Sequence, residues 1–186
     1  MNPPVVVPTI AVKFTDIKNH WAAEFIIKLI QRGIILNTEK FRPDDSLTRA
    51  EFLKIIGNSA GWNTASASGV TLPFTDVPNS MWYATYVRYA LSANIISSSD
   101  AFRPNDPISR GEVAKILALT LGTPISEYVG VFTDVPKSYS LALYIEALKQ
   151  GKIFDGQATE RGLIFRPVDN ITRAEIAKVV VRTFKF

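Results

Sequence analysis

The sequence predicts a mainly α fold: three helix-loop-helix repeats in a pseudo-threefold arrangement around a central three-helix bundle. Two recurring signatures and one capping pattern lead there. Phe-Thr-Asp occurs at Phe14–Asp16, Phe74–Asp76 and Phe132–Asp134, with starts 60 and 58 residues apart. Phe-Arg-Pro occurs at Phe41–Pro43, Phe102–Pro104 and Phe165–Pro167. Six residues after each of those arginines comes a Thr/Ser-Arg-x-Glu tetrad, at Thr48–Glu51, Ser109–Glu112 and Thr172–Glu175. Signatures that recur three times in one order set a repeat architecture.

The first helix of each repeat shows in the spacing of apolar residues. Trp21, Phe25, Leu29 and Ile30 mark it in repeat 1, with Gly33 as a C-terminal stop. Trp82, Tyr86, Tyr89 and Ala90 mark it in repeat 2, and Leu141, Ile145 and Leu148 in repeat 3. The Arg-Pro step that follows predicts an extended turn, because the residue before proline avoids the helical region. The second helix begins at the tetrad. Thr48 with Glu51, Ser109 with Glu112 and Thr172 with Glu175 form capping boxes, in which the hydroxyl caps the N3 amide and the glutamate reaches back. Behind them run Phe52, Ile55 and Ile56, then Val113, Ile116 and Leu117, then Ile176, Val179 and Val180. One repeat cannot bury such a stripe alone; three stripes facing one axis can.

The repeats divide the chain into a Pro- and Val-rich tail over 1–13 and repeats over 14–66, 72–124 and 130–186. Asn63–Thr71 is small and polar and reads as a flexible connection. Leu121–Val129 reads as a shorter linker. From Phe132 to Phe165 is 33 residues, against 27 and 28 in the other repeats, and the excess at Asp155–Ile164 reads as a longer loop. Repeat 3 also has Ser140 where the others carry Trp21 and Trp82, and Gly111 loosens the start of the second tetrad helix.

Composition limits the chemistry. The 186 residues are 47% hydrophobic and 20% charged, enough apolar content for a packed core. The net charge of +4 suits an acidic partner but is too small to argue for nucleic acid. It divides as +2 over residues 1–66 (8 basic, 6 acidic), −1 over 67–127 (4 and 5) and +3 over 128–186 (9 and 6). With no cysteine and one histidine, His20, disulfides, thiol chemistry and a histidine-rich metal site are excluded. No cofactor and no catalytic group is expected, since the acidic residues recur as caps and turn residues and no nucleophile–base pair is present. No stretch is long and apolar enough to span a bilayer. The opening residues lack the basic region of a signal peptide, and the chain reads as the C-terminal part of a longer protein, monomeric when isolated.

The tetrad arginines, Arg49, Arg110 and Arg173, pose a problem. Each sits at the first helical position, where a cation faces the positive end of the helix dipole at a cost of roughly 0.3–1 kcal/mol. An anion must offset this three times. It is either internal, from Asp45, Asp106 and Asp169 or from Glu51, Glu112 and Glu175, or external, a carboxylate or phosphate held by guanidinium and helix N–H groups.

These residues carry a resemblance. Phe-Thr-Asp-Ile-x-x-His-Trp-Ala, then Gly-Ile, Phe-Arg-Pro-Asp and Leu-Thr-Arg-Ala-Glu in repeat 1, matched with the departures above in repeats 2 and 3, resemble the S-layer homology domain. The likeness runs from Phe14 to the end. It implies a three-pronged pseudo-trimer with ligand grooves between neighbouring repeats. It also implies non-covalent anchoring of surface proteins to a secondary cell-wall polysaccharide, commonly one bearing pyruvate ketals. The partner is then a cell-wall glycan with carboxylate groups, and the location extracellular, at the cell wall. The family's ligand-linked arginine maps onto Arg49, Arg110 and Arg173, and a ketal carboxylate suits a guanidinium. On this reading Arg→Ala variants lose wall binding and still fold. Asp16, Asp76 and Asp134 either accept hydrogen bonds from sugar hydroxyls or cap turns before the first helix. Trp21 and Trp82 either stack on a sugar or belong to the core. Lys152 adds a cation to one groove, and the three grooves are not expected to bind equally. Peptidoglycan binding and protein–protein assembly remain the alternatives.

Overall fold

The computed structural model describes residues 11–125 and 127–186; residues 1–10 of the tail lie outside them. Six α-helices carry the fold: α1 (Ala23–Gln31), α2 (Arg49–Ala60), α3 (Ala84–Ser92), α4 (Arg110–Thr120), α5 (Ala142–Gln150) and α6 (Arg173–Phe184). Two three-residue strands, β1 (Gln157–Thr159) and β2 (Gly162–Ile164), pair antiparallel. The protein is mainly helical, as the sequence predicts.

All three tetrads start helices as capping boxes. Thr48, Ser109 and Thr172 each accept from the N3 amide through the side chain, and Glu51, Glu112 and Glu175 each bond back to the N-cap amide. Gly33 ends the first helix with φ +67°, and Asn94 and Lys152 take the same left-handed conformation at the matching positions.

The helices pair in a way that the repeat boundaries conceal. α1 packs on α6, α3 on α2, and α5 on α4. Each first helix therefore rests on the second helix of the preceding repeat, and repeat 1 takes its partner from repeat 3. α2 also packs against both α4 and α6. The residue before each tetrad closes the pattern through the backbone. The Leu47 N–H donates to Ile171, Ile108 to Leu47 and Ile171 to Ile108, at 2.9–3.1 Å. All three side chains are fully buried.

Four sequence expectations are corrected. The residue before proline is not extended: Arg42, Arg103 and Arg166 have φ of 58–60°, in the left-handed region. A carboxylate from the distant Phe-Thr-Asp clamps each of these strained turns. The Asn63–Thr71 connection is a packed element. Thr64–Ala67 is a 3-10 helix against α3, with Ala67 buried and Trp62 stacked on Tyr89 at 4.8 Å between ring centroids. The Asp155–Ile164 segment is a hairpin, tied to Thr133 by a 2.8 Å bond from its N–H to the Leu163 carbonyl. Gly111 does not loosen α4. A Cβ there would lie 2.7 Å from the Tyr139 hydroxyl and 3.0 Å from the Pro167 carbonyl, so its missing side chain admits repeat 3.

Candidate functional site

The tetrad arginines are bound between repeats. Arg49 Nε donates to the Phe102 carbonyl at 2.8 Å and Nη1 to Glu112 at 2.5 Å. Arg110 does the same with the Phe165 carbonyl and Glu175, at 2.9 and 3.2 Å. Arg173 repeats it with the Phe41 carbonyl and Glu51, both at 2.7 Å. Each guanidinium lies 4.9–5.1 Å from the centroid of that same phenylalanine ring. The side chains are only 10–15% exposed. The anion that offsets the helix dipole is thus internal, and it is the glutamate of the neighbouring repeat rather than one nearby in sequence. The aspartates Asp106, Asp169 and Asp45 act instead through their carbonyls, which accept the N–H of Arg49, Arg110 and Arg173.

Each glutamate serves two masters. One oxygen of Glu112 closes the capping box; the other faces Arg49, with Arg103 at 3.9 Å. Burial pushes this carboxyl up, but the Ser109 N–H, Arg49, the Ser109 hydroxyl and Arg103 outweigh it and hold it below the ordinary value. Burial draws Arg110 below its usual range, with Glu175 pulling the other way.

Asp16, Asp76 and Asp134 neither cap a turn before the first helix nor stand free. Each accepts two backbone N–H groups through its two oxygens: Phe41 and Arg42, Phe102 and Arg103, Phe165 and Arg166, at 2.7–3.0 Å. Burial raises the Asp16 carboxyl, and these N–H donors together with Lys40 bring it below the usual carboxylate value. Their geometry assigns them to the turns. His20 caps locally, accepting from the Ala22 N–H through Nδ1, with Nε2 3.2 Å from Asp44.

Trp21 and Trp82 are not core. They are 55% and 50% exposed. Trp82 lines a groove of about 210 Å³ with Phe41, Glu51 and Lys54 of repeat 1 and Arg173 of repeat 3. Trp21 lines a groove of about 330 Å³ with Phe165, Glu175 and Lys178 of repeat 3 and Arg110 of repeat 2. The walls of both grooves thus draw on all three repeats, in cyclic order. Lys54 lies 5.3 Å from the Trp82 ring centroid and Lys178 5.9 Å from that of Trp21. Sequence reasoning missed these lysines, although the signal was present: a lysine stands five residues after each tetrad arginine, at Lys54, Lys115 and Lys178. At the third position of the cycle, exposed Ser140 replaces the tryptophan. Its neighbour Tyr139 has a phenol pushed up by burial and by Glu112. Lys152 is exposed and occupies the left-handed stop after α5; the groove lining begins one residue later, at Ile153.

Among the described residues, no cluster of His, Asp or Glu could hold a metal ion, and no helix is long and apolar enough to cross a membrane.

The three repeats also match a known family and its members in sequence. The model of the S-layer homology domain matches residues 13–53, 73–114 and 131–177. The amylopullulanase of Thermoanaerobacterium thermosulfurigenes is 31% identical over 90% of this chain, and the exoglucanase XynX of Acetivibrio thermocellus 31% over 91%. The chain spans only 9% and 16% of those two relatives. The cellulosome-anchoring protein of Acetivibrio thermocellus is 28% identical over 78% of the chain, which covers 33% of it. Three separate matches, one to each set of Phe-Thr-Asp, Phe-Arg-Pro and tetrad, show that the chain belongs to the S-layer homology domain family and carries three tandem copies of the domain.

Proposed function

We propose that the chain is a non-catalytic cell-surface anchoring module that holds an anionic cell-wall glycan, a pyruvylated secondary polysaccharide being the best fit, in the grooves between repeats. One observation carries the reading: two grooves each set an exposed tryptophan beside a lysine, above a tetrad arginine, on walls drawn from three repeats. The tryptophan face suits a sugar ring. The lysine and the guanidinium edge suit a carboxylate, and two grooves on one polymer add avidity. Family membership and the anchoring and surface-layer relatives support a place at the cell surface. The enzyme relatives align over a small part of their length, which supports a role that attaches catalytic domains without adding chemistry.

The test is co-sedimentation with sacculi from the source organism, before and after removal of the secondary polymer. Wild type is expected to pellet only with unstripped walls. The variant Trp21→Ala, Trp82→Ala, Lys54→Ala, Lys178→Ala is expected to stay in the supernatant while unfolding at the wild-type temperature. Pelleting with stripped walls would assign the grooves to peptidoglycan. A variant that pellets like wild type would remove the grooves from the binding surface. The tetrad arginines are unsuitable for this purpose, because their bonds join the repeats.

A further inference from the structure

His20 is the chain's one histidine, and it stands beside a groove tryptophan. Its ring is held at both nitrogens. Nδ1 accepts from the Ala22 N–H at 3.1 Å, at the start of α1, and Nε2 lies 3.2 Å from Asp44 Oδ1. A ring nitrogen that accepts carries no proton, so the neutral ring is protonated at Nε2 and donates to Asp44. The His20 side chain is only 14% exposed, whereas that of Asp44 is 84% exposed. Trp21 is the aromatic neighbour, its ring centroid 5.4 Å away at an interplanar angle of 37°. The turn that carries Asp44 is itself bonded to the start of α6: the Pro43 and Asp45 carbonyls accept the Ala174 and Arg173 N–H groups at 2.9 and 3.0 Å. His20 therefore ties the helix start next to Trp21 to the helix whose Lys178 lies over the Trp21 ring.

The pair is confined to repeat 1. Counted back from the tryptophan position, His20 matches Met81 in repeat 2 and Tyr139 in repeat 3; counted from Phe-Arg-Pro, Asp44 matches Asn105 and Val168. The Trp82 groove thus has a methionine where the Trp21 groove has an imidazole. Histidine is the side chain that changes charge between pH 5 and 8. A second proton on the His20 ring has to go to Nδ1, where it meets the Ala22 N–H donor against donor. That bond breaks, and the ring turns away from the helix start. The positive end of α1 opposes the new charge and Asp44 favours it. Among the described residues only Asp44 pairs with the ring. The other charged groups on the elements that meet here are Lys18 before the helix, Glu24 in the first turn of α1, Arg42 and Asp45 on the turn, and Glu175 and Lys178 on α6. Arg42 and Asp45 pair with each other at 3.7 Å. What changes is the position of the ring, and with it the support of Trp21. The added charge is paired with an exposed carboxylate and screened by water, so it attracts an anionic ligand little. A displaced indole costs that ligand its stacking face.

We infer that His20 is a positioning residue for Trp21, and that its protonation frees the indole and weakens ligand binding in that groove alone. The inference rests on the glycan-binding reading above and deepens it. The Trp21 groove loosens its hold in mild acid; the Trp82 groove keeps it.

Two measurements on the full chain test it. The first needs no ligand: nuclear magnetic resonance of the free protein between about pH 8 and pH 5, with the indole signals assigned through Trp21→Phe and Trp82→Phe. The His20 ring, the Ala22 amide and the Trp21 indole N–H are expected to shift along one titration curve while the Trp82 indole stays fixed. A Trp21 indole that stays fixed while His20 titrates, or a His20 ring that does not titrate in this range, overturns the inference. The second is co-sedimentation with unstripped sacculi from the source organism at the same two pH limits, with affinity taken from a protein concentration series. The Trp82→Ala, Lys54→Ala variant, which leaves the Trp21 groove, is expected to bind about fivefold more weakly at the acid limit. The Trp21→Ala, Lys178→Ala variant, which leaves the Trp82 groove, is expected to change less than about twofold and reports what acid does to the wall itself. His20→Asn, added to the first variant, offers a carboxamide oxygen to the Ala22 N–H and takes no proton. Its acid loss is expected to fall below about twofold. A fivefold loss that persists in His20→Asn, or that appears equally in both groove variants, overturns the inference and leaves the groove reading intact. If wild type itself fails to pellet, the groove reading falls, and the resonance measurement still decides whether His20 positions Trp21.

Discussion

Arg49, Arg110 and Arg173 stand at an unfavourable helix position because each ties three things together: its own helix start, a neighbouring Phe-Arg-Pro carbonyl and a neighbouring capping glutamate. Removing one leaves one oxygen of a half-buried glutamate, and a carbonyl, without their close donor. Arg173→Ala is therefore expected to lower stability by about 2–4 kcal/mol, read from urea unfolding. A loss under about 0.5 kcal/mol would mean that the bridge contributes only surface electrostatics. Glu112 gives the pH dependence. Its folded carboxyl lies below the ordinary value of 4.5, so the stabilisation it provides is complete above that value and is lost as pH falls through the folded one. Asp16 acts in the same sense from its usual 3.8. The unfolding temperature is expected to be flat above about pH 5 and to fall below about pH 4, with a shallower fall in Glu112→Gln. An equally steep fall in that variant would place the acid sensitivity elsewhere.

At the scale of elements, the capping boxes were fully legible, because Thr/Ser-x-x-Glu satisfies its own helix end and needs nothing distant. The Arg-Pro turns were not. Local sterics predict an extended residue before proline, and the left-handed conformation survives because Asp16, Asp76 and Asp134 clamp the turn from 25 to 32 residues away. The start of α4 shows the same dependence. Gly111 departs from the alanine of the other tetrads to admit Tyr139 and the Pro167 carbonyl. Gly111→Ala is expected to cost roughly 1–3 kcal/mol through overpacking, despite the higher helix propensity of alanine. Adding Tyr139→Phe should recover part of the loss in thermal unfolding. A stabilised Gly111→Ala would show that the boundary yields freely.

At the scale of the whole molecule, the cyclic pairing makes the three repeats one folding unit. α1 rests on α6, so repeat 1 is incomplete without repeat 3. The C-terminus reinforces this join: Lys28 donates to the Phe186 carbonyl at 3.0 Å, and Arg32 lies over the Phe186 ring at 5.1 Å. A chain ending at Leu121 would strip α6 from α1, Glu175 from Arg110 and Arg173 from Glu51. It is expected to lose cooperative thermal unfolding and its near-ultraviolet circular dichroism. A sharp transition close to that of the full chain would mean that repeats 1 and 2 fold independently.

The sequence by itself determined the repeat count, the helix starts, the helical class and the positions where the repeats differ. Each of these is encoded within a few residues by periodicity, capping chemistry or a recurring motif. The tertiary structure decided which helix partners which, that the arginines bond across repeats, that Trp21 and Trp82 face solvent, and that Lys54 and Lys178 join them in grooves. Three repeats that share the same motifs can pair within themselves or with a neighbour using the same residue types. Only closure of the chain, through the backbone bonds joining Leu47, Ile108 and Ile171, selects the neighbour.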